Sequence, residues 1–217
     1  MPADRARRVV LLALLTIGTS LAPVSRAVAQ GTDTKALLAS ALAGESIPLL
    51  PLTLAAADPA LTADSTFAPY RERRRTLAWA DSIIGESFES RAPEVTWVLP
   101  AALRRLARRN PGMMPEPDHL GQAVLASPKL KRVPDPLRTS LRQVTAFSGG
   151  RFAMVPAALS FTRDTSGALR AELSLVLADT RNGSVAWRTL AWGLGATPPE
   201  ALTAALALVL PAEIPPQ

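Results

Sequence analysis

Residues 149–195 read GGRFAMVPAALSF, TRDTSG, ALRAELSLVLA, DTRNG and SVAWRTLAWGLG in succession. The three longer segments are rich in apolar residues, whereas the two short segments between them have the composition of turns. In the second turn, Asn182 and Gly183 tolerate the positive φ that tight hairpin connections require. The stretch from Gly149 to Gly195 therefore predicts three antiparallel strands in a meander.

Leucine recurs at every second position along the second of these segments. The two alternating sets are Leu173, Leu175 and Leu177 against Glu172, Ser174 and Val176. A period of two is typical of a sheet with one covered face. Pro156 interrupts the first segment, and because proline cannot donate to a ladder, we expect an edge strand or a bulge there.

Residues 1–29 have the features of a cleaved export signal. Arg5, Arg7 and Arg8 precede a short apolar run at 9–17, and Ala27-Val28-Ala29 fits a small-x-small cleavage site. The sequence therefore predicts cleavage near Ala29 and a mature chain that is periplasmic or secreted. The apolar run is too short to span a membrane comfortably, and no transmembrane segment is expected in the mature chain.

Four regions are predicted along the chain. They are the signal peptide at 1–29, a lead-in with a short helix at 30–46, a single α+β domain at 47–210 and a Pro-rich tail at 211–217. A domain of this length can bury an adequate core without disulfides. The chain contains no Cys, so neither disulfides nor a lipid-modified cysteine are expected.

The charge of the chain is only mildly basic once the signal is removed. The whole sequence has 24 Lys and Arg against 18 Asp and Glu, a formal charge of +6. Without residues 1–29 the count is 20 against 17, or +3. So small an excess argues against a nucleic-acid partner, and in an exported protein the basic groups would meet anionic lipid or cell-wall polymer instead.

Hydrophobic spacing and stop signals predict the remaining elements. The expected strands are 47–54 and 95–99, and a long loop is expected at 55–69. The expected helices are 35–43, 70–89, 101–109 with Pro100 as its first residue, 118–126, 137–147 and 198–210. Asp135 is expected to cap the helix at 137–147, and Thr197-Pro198-Pro199-Glu200 has the pattern of a capping box.

The helix at 198–210 is apolar nearly all round, so we expect it to dock on the sheet. The predicted fold class is therefore α+β. It has a mixed sheet that ends in a three-stranded antiparallel meander, with helices packed on it and a closing C-terminal helix.

A search for catalytic, metal-binding and cofactor-binding motifs finds none, so no catalytic, metal or cofactor residues are predicted. His119 is the single histidine, and one His without Cys does not make an ordinary zinc site. No G-x-S-x-G elbow, S-x-x-K motif or phosphate loop occurs, and Gly193-Leu194-Gly195 is expected to be a strand end. Asp164 and Asp179 are the candidate carboxylate pair of a hydrolase, but they lie in successive turns, which fall at opposite ends of a meander.

Two arginine clusters remain, one around Arg73 and one at 104–109. Their spacing allows several guanidinium groups to converge, although a solvated helix face with local ion pairs is the simpler interpretation. The four tryptophans are interpreted as core or interface anchors: Trp79, Trp97, Trp187 and Trp192.

The hairpin LADTRNGSVAW at 177–187 resembles a pattern L-x-D-x-x-T-G-x-V-x-W. Leu177, Asp179, Gly183, Val185 and Trp187 match it, and Asn182 stands where the pattern has Thr. This pattern resembles one in exported envelope domains of the type found at the amino-terminal end of TolB, in CsgG and in the LpoB-like synthase activators. The resemblance implies an α+β sandwich and a non-enzymatic role in envelope assembly or transport.

The sequence thus favours a non-enzymatic periplasmic binding or scaffolding module that recognises another envelope protein through the sheet edge or a helix face. Two alternatives stay open. One is a carrier of an apolar ligand held between the sheet and the last helix. The other is a cell-wall hydrolase that uses carboxylates.

Overall fold

A computed structural model describes residues 34–211, with the side chain of Thr66 left out. Six strands are β1 (Ser46–Pro48), β2 (Ala55–Ala57), β3 (Thr96–Val98), β4 (Phe152–Arg163), β5 (Leu169–Asp179) and β6 (Ser184–Gly195). Five α-helices are α1 (Pro59–Ala63), α2 (Arg73–Arg91), α3 (Pro100–Arg109), α4 (Leu137–Ser148) and α5 (Pro198–Val209). Short 3₁₀ helices lie at Ala39–Leu42, Ser65–Tyr70, Pro117–His119 and Gln122–Ala126.

The predicted meander is confirmed and forms most of a mixed sheet with the order β2-β4-β5-β6. Strand β2 runs parallel to β4, and β4, β5 and β6 are antiparallel. The turn at 179–183 closes as expected, because Gly183 has φ 72° and its N–H donates to the Asp179 carbonyl at 2.8 Å. Pro156 lies at a bulge, where the register shifts between Pro156 and Ala158, and not at an edge.

The predicted α+β class is confirmed, and the core lies on both faces of the sheet. On one face, Leu173, Leu175 and Leu177 pack in a cluster with residues of α2 and α5, including Ile84, Phe88, Leu202 and Leu206. On the other face, Val176 packs in a second cluster with Leu103 of α3 and Leu141 of α4. The expectation of one covered face is therefore wrong for the half of the sheet around Val176, because the 3₁₀ helix Gln122–Ala126 and α4 fold back across it.

Helix α5 docks on the sheet as predicted. Its cap is confirmed, since Thr197 Oγ1 accepts from the Glu200 N–H at 3.4 Å and Glu200 Oε2 accepts from the Ala196 N–H at 2.9 Å. The predicted strand end at Gly193-Leu194-Gly195 lies in β6, directly under the helix. A Cβ on Gly193 would lie 2.3 Å from the Ala205 nitrogen, so glycine is what permits this close approach.

The N-terminal helix expected at 35–43 is wrong except for the 3₁₀ helix Ala39–Leu42. Backbone N–H groups of this segment bind other elements instead: Lys35 donates to Thr189 Oγ1 at 2.7 Å and Leu37 to the Val209 carbonyl at 2.8 Å. These long-range bonds hold the segment extended along β6 and the end of α5.

Three further expectations are corrected. The loop expected at 55–69 contains β2, α1 and a 3₁₀ helix, and Asp58 Oδ1 caps α1 by accepting from the Ala60 N–H at 2.8 Å. The helix expected at 118–126 is two 3₁₀ helices, because Gly121 between them has φ 72°. The strand expected at 47–54 is shorter, and only Leu49 bridges onward to Met154 of β4.

The expected cap of α4 is also corrected. Pro136 occupies the cap position and makes no side-chain bond, whereas Asp135 Oδ1 accepts from the Thr139 hydroxyl at 3.3 Å. The predicted signal peptide at 1–29 and most of the tail at 211–217 lie outside the described residues. Within residues 34–211, no helix has both the length and the apolar character needed to cross a bilayer.

Candidate functional site

The carboxylates considered for a hydrolase lie at opposite ends of the meander. Phe152 pairs with Asp179 at one end of the β4–β5 ladder, and Arg163 pairs with Leu169 at the other, next to Asp164. Asp164 Oδ1 accepts from the backbone N–H groups of Ser166 and Ala168, each at 2.9 Å. Asp164 therefore orders its own turn and does not face Asp179.

Asp179 is 2% exposed and fastens the end of β5 to the residue before β4. Its Oδ2 accepts from Arg151 Nε at 2.9 Å, and its Oδ1 accepts from the Arg181 N–H at 3.0 Å. The hydrogen bond from the Arg151 guanidinium holds the pKa of Asp179 below its usual range. A carboxyl that stays ionised at neutral pH is unsuited to act as a general acid.

Replacing Asp179 with Asn should lower the melting temperature by a few degrees at neutral pH and by less in acid. Since the folded pKa is lowered, the charge stabilises the fold above the ordinary aspartate pKa of about 4 and this contribution is lost as pH falls through the folded value. The Asn side chain retains an oxygen that can accept the hydrogen bond from the Arg181 N–H, so the variant removes mainly the charge. Thermal unfolding at neutral pH and near pH 2.5 measures the difference, with exposed Asp135→Asn as the control. A destabilisation that stays the same in acid would show that the charge is not its cause.

Within residues 34–211, no three His, Cys, Asp or Glu side chains are placed to hold a metal ion together. His119 instead lines a groove between α2 and α3 that has a cavity volume of about 640 Å³. The other lining residues are Leu52, Thr53, Arg73, Arg74, Leu77, Ala78, Arg104 and Asp118. We refer to this set of residues as the arginine groove.

The arginine groove brings together residues from both predicted arginine clusters. Arg73 and Arg74 come from the first turn of α2, and Arg104 comes from α3. Arg108 lines a different depression, next to Met113 and Met114. Arg73 and Arg104 therefore line one groove, while the cluster at 104–109 is divided between two surfaces.

Arg104 is held in place by two carboxylates. Its Nε and Nη2 donate to Asp118 at 2.9 and 2.7 Å, and Nη2 also donates to Asp81 Oδ2 at 2.8 Å. The other oxygen of Asp81 accepts from the Leu52 N–H at 2.7 Å. Arg104 is thus a fixed cation with its Nη1 group left over from these bonds.

Burial and hydrogen bonding set the pKa values in the triad of Asp81, Arg104 and Asp118. Asp81 is 8% exposed, and burial raises its pKa, although the Leu52 N–H and Arg104 oppose the shift. The hydrogen bond to Asp118 raises the pKa of Arg104 further, so this side chain keeps its charge at every ordinary pH. The triad is a rigid polar cluster with one arginine side exposed to the groove.

Gln122 links the two segments that contribute Leu52 and Asp118 to the arginine groove. Its side chain is fully buried, and Nε2 donates to the carbonyls of Pro51 and Pro117 at 2.9 and 3.3 Å. These residues precede Leu52 and Asp118, which line the groove. Sequence reasoning missed Asp81 and Gln122, although the position of Asp81 beside the apolar residues Ala80 and Ile84 of α2 was a signal.

A second candidate surface is the half of the sheet that the 3₁₀ helix Gln122–Ala126 and α4 leave uncovered. Cross-strand pairing places Glu172 beside Ser160 and Trp192, and Arg170 beside Leu194. Leu190 and Leu194 are 42% and 41% exposed. We define the open face as Ser160, Arg170, Glu172, Leu190, Trp192 and Leu194.

Trp192 is the anchor of the open face. The Arg170 guanidinium carbon lies 4.7 Å from the centre of its ring, within the range of a cation–π contact. Arg170 Nη2 also lies 2.6 Å from Glu172 Oε1. By contrast, Trp97 and Trp187 are core anchors, because their indole N–H groups donate to the carbonyls of Ala92 and Ala36.

Strand β6 borders the open face and is the last strand of the sheet. One end of its outer edge is covered, since Arg132 forms a bridge with Ser184 and the Val185 N–H donates to the Lys131 carbonyl. Thr34 Oγ1 donates to the Leu190 carbonyl at 3.2 Å. Beyond this point, no described strand pairs with the outer edge of residues 191–195.

Comparison with solved structures finds low-identity matches. The PelC dodecamer from Paraburkholderia phytofirmans is 13% identical over 82% of this chain and 94% of that chain, with TM-score 0.35. The LpoB C-terminal domain from Escherichia coli is 13% identical over 70% and 83%, with TM-score 0.32. Lipoprotein GNA1162 from Neisseria meningitidis is 16% identical over 70% and 82%, with TM-score 0.32.

LpoB belongs to the group that the hairpin at 177–187 resembles. No family model and no curated protein matches the chain.

Proposed function

We propose that this chain is a non-enzymatic binding or scaffolding module of the cell envelope, acting in the periplasm or outside the cell. The location rests on the predicted signal at 1–29. The binding role rests on one observation: no strand within residues 34–211 pairs with the outer edge of β6 at 191–195, beside an open face with exposed Leu190 and Leu194. Its partner is another envelope protein that presents an extended apolar segment.

The composition of β6 supports this role. Soluble proteins usually protect an edge strand with charged side chains, proline or a covering element. The segment TLAWGLG at 189–195 contains neither a charged residue nor a proline. An added strand would pair with the free N–H and C=O groups of this edge, and its side chains would extend the apolar row of the open face.

The structure disfavours the carrier alternative. An apolar ligand between the sheet and the last helix would need space there, yet a Cβ on Gly193 would already overlap the backbone of Ala201 and Ala205. Leu202 and Leu206 are fully buried on this side of α5. The hydrolase alternative is disfavoured by the separation of Asp164 from Asp179.

Site-specific photo-crosslinking in living cells tests the proposal. The crosslinking amino acid p-benzoylphenylalanine replaces Leu194 at the β6 edge or, as the matched control, Leu54. Both residues are 41% exposed, and Leu54 adjoins β2 at the opposite edge of the sheet. We expect a crosslink to one other envelope protein from position 194 and none from position 54.

A second variant tests whether strand addition is the cause. Leu190→Lys places a charge beside the edge and should abolish the crosslink from position 194, because charged edges oppose strand addition. The proposal fails if position 194 gives no crosslink, if it joins only copies of this chain, or if Leu190→Lys leaves the yield unchanged.

A further inference from the structure

The first turn of α2 carries an unbalanced positive charge. Arg73, Arg74 and Arg75 occupy it, and it contains no acidic residue. Positive side chains at a helix N-terminus oppose the helix dipole, so this arrangement is unfavourable without a counter-ion. Glu72 at the cap position makes no side-chain cap bond, because its carboxylate pairs with Arg75 at 2.8 Å.

Arg73 and Arg74, the other two arginines of this turn, line the arginine groove. Arg73 Nη2 donates to the Thr53 carbonyl at 2.7 Å, which holds this side chain at the groove without neutralising it. Arg74 makes no hydrogen bond or ion pair with any described residue. Arg104 approaches from α3; Asp81 and Asp118 balance its charge and fix its position, while its Nη1 group is left to donate a hydrogen bond. Guanidinium groups from two helices therefore border one cavity.

We propose that the arginine groove is a binding site for a phosphate group. Guanidinium N–H groups form paired, charge-assisted hydrogen bonds with phosphate oxygens. Arg73 and Arg74 bring to one cavity two positive charges that no carboxylate of a described residue balances. Leu52, Leu77 and Ala78 in the same lining provide apolar contact for the organic part of a phosphate ester. The site is separate from the β6 edge and does not depend on its role.

Two sources of such a phosphate exist for an exported protein: the headgroup of an anionic lipid and a soluble phosphate-bearing polymer. The shared chemistry is the phosphate group, so inorganic pyrophosphate is the primary probe. Vesicles with and without phosphatidylglycerol then distinguish the two sources. Binding of both probes identifies a lipid headgroup, and binding of pyrophosphate alone identifies a soluble phosphate compound.

Calorimetric titration of the full mature chain with pyrophosphate tests the site. We expect saturable binding by the parent and a loss of about tenfold in affinity for Arg74→Gln, because a charge-assisted hydrogen bond is removed. Arg109→Gln is the control: it removes the same charge from an exposed position of α3 outside the groove lining, and should change affinity less than about twofold. Both positions are exposed, so neither variant should perturb the fold.

Three outcomes would overturn the inference. The first is the absence of saturable pyrophosphate binding by the parent. The second is an equal loss in Arg74→Gln and Arg109→Gln, which would indicate attraction by overall charge only. The third is binding of a glutamate-rich peptide in place of pyrophosphate, which would identify the groove as a contact for acidic protein segments.

Discussion

Replacing Gly193 with Ala is expected to destabilise the fold by about 3 kcal/mol or more, beyond the usual cost of one extra methyl group in a core. The new Cβ would lie 2.3 Å from the Ala205 nitrogen and 2.4 Å from the Ala201 carbonyl oxygen. Both atoms belong to the backbone of α5, so no side-chain rotation can relieve the overlap. The helix would have to move off the sheet, which would open the contacts of Leu202 and Leu206.

Urea unfolding followed by circular dichroism measures this cost, and Gly85→Ala is the matched control. The same methyl group at Gly85 would lie 3.4 Å from a Leu99 methyl, an ordinary contact. Gly85→Ala lies in the interior of α2, so it should leave the free energy of unfolding unchanged or raise it by up to about 1 kcal/mol, because Ala has a higher helix propensity than Gly. A Gly193→Ala midpoint equal to that of the parent would show that α5 is not held this closely.

Gly193 also shows what the sequence predicts well and what it does not. The turn at 179–183 and the cap at Thr197 depend on residues next to each other in the chain, and both are confirmed. The requirement for glycine at position 193 comes instead from α5, because the backbone of Ala201 and Ala205 approaches this position only in the folded protein. From sequence alone, Gly193 and Gly195 could be interpreted only as the end of a strand.

Strand β2 is a second element that the sequence could not predict. Its residues, Ala55 to Ala57, are poor strand formers, and they form a strand only because β4 supplies a parallel partner at 159–161. The loop expected at 55–69 therefore agrees with the low strand propensity of these residues. Pairing with a segment far away in the chain overrode that preference.

The open face escaped prediction for a related reason. Along β6, Leu190, Trp192 and Leu194 alternate with Ala191 and Gly193, so an apolar side chain occurs on either face. Period-two alternation assigns residues to faces but does not say which face a helix will cover. The arginine groove was partly predictable, since the arginines were conspicuous, but the carboxylate of Asp81 that orients Arg104 was hidden in the apolar pattern of α2.

Truncation of Leu206 to Ala in α5 is expected to cost about 2 to 5 kcal/mol, the range for a large-to-small change in a closed core. Leu206 is fully buried against the cluster that contains Leu173 and Leu175. Leu208→Ala is the control, since it makes the same change in the same helix at a half-buried position. Helix propensity changes equally in both variants, so their difference in the urea midpoint reports burial alone.

The pair of variants also separates the functional alternatives for this part of the molecule. If α5 closes the core, Leu206→Ala is strongly destabilised and Leu208→Ala by less than about 1 kcal/mol. If α5 instead covered a ligand cavity, Leu206→Ala would be mild and would increase the binding of an apolar fluorescent probe. If the helix were the partner-binding surface, neither variant would change the midpoint, and Leu208→Ala would abolish the crosslink from position 194. The first result is expected, because the Thr197 cap fixes the start of α5 and the absence of side chains at Gly193 and Gly195 brings its backbone directly onto β6.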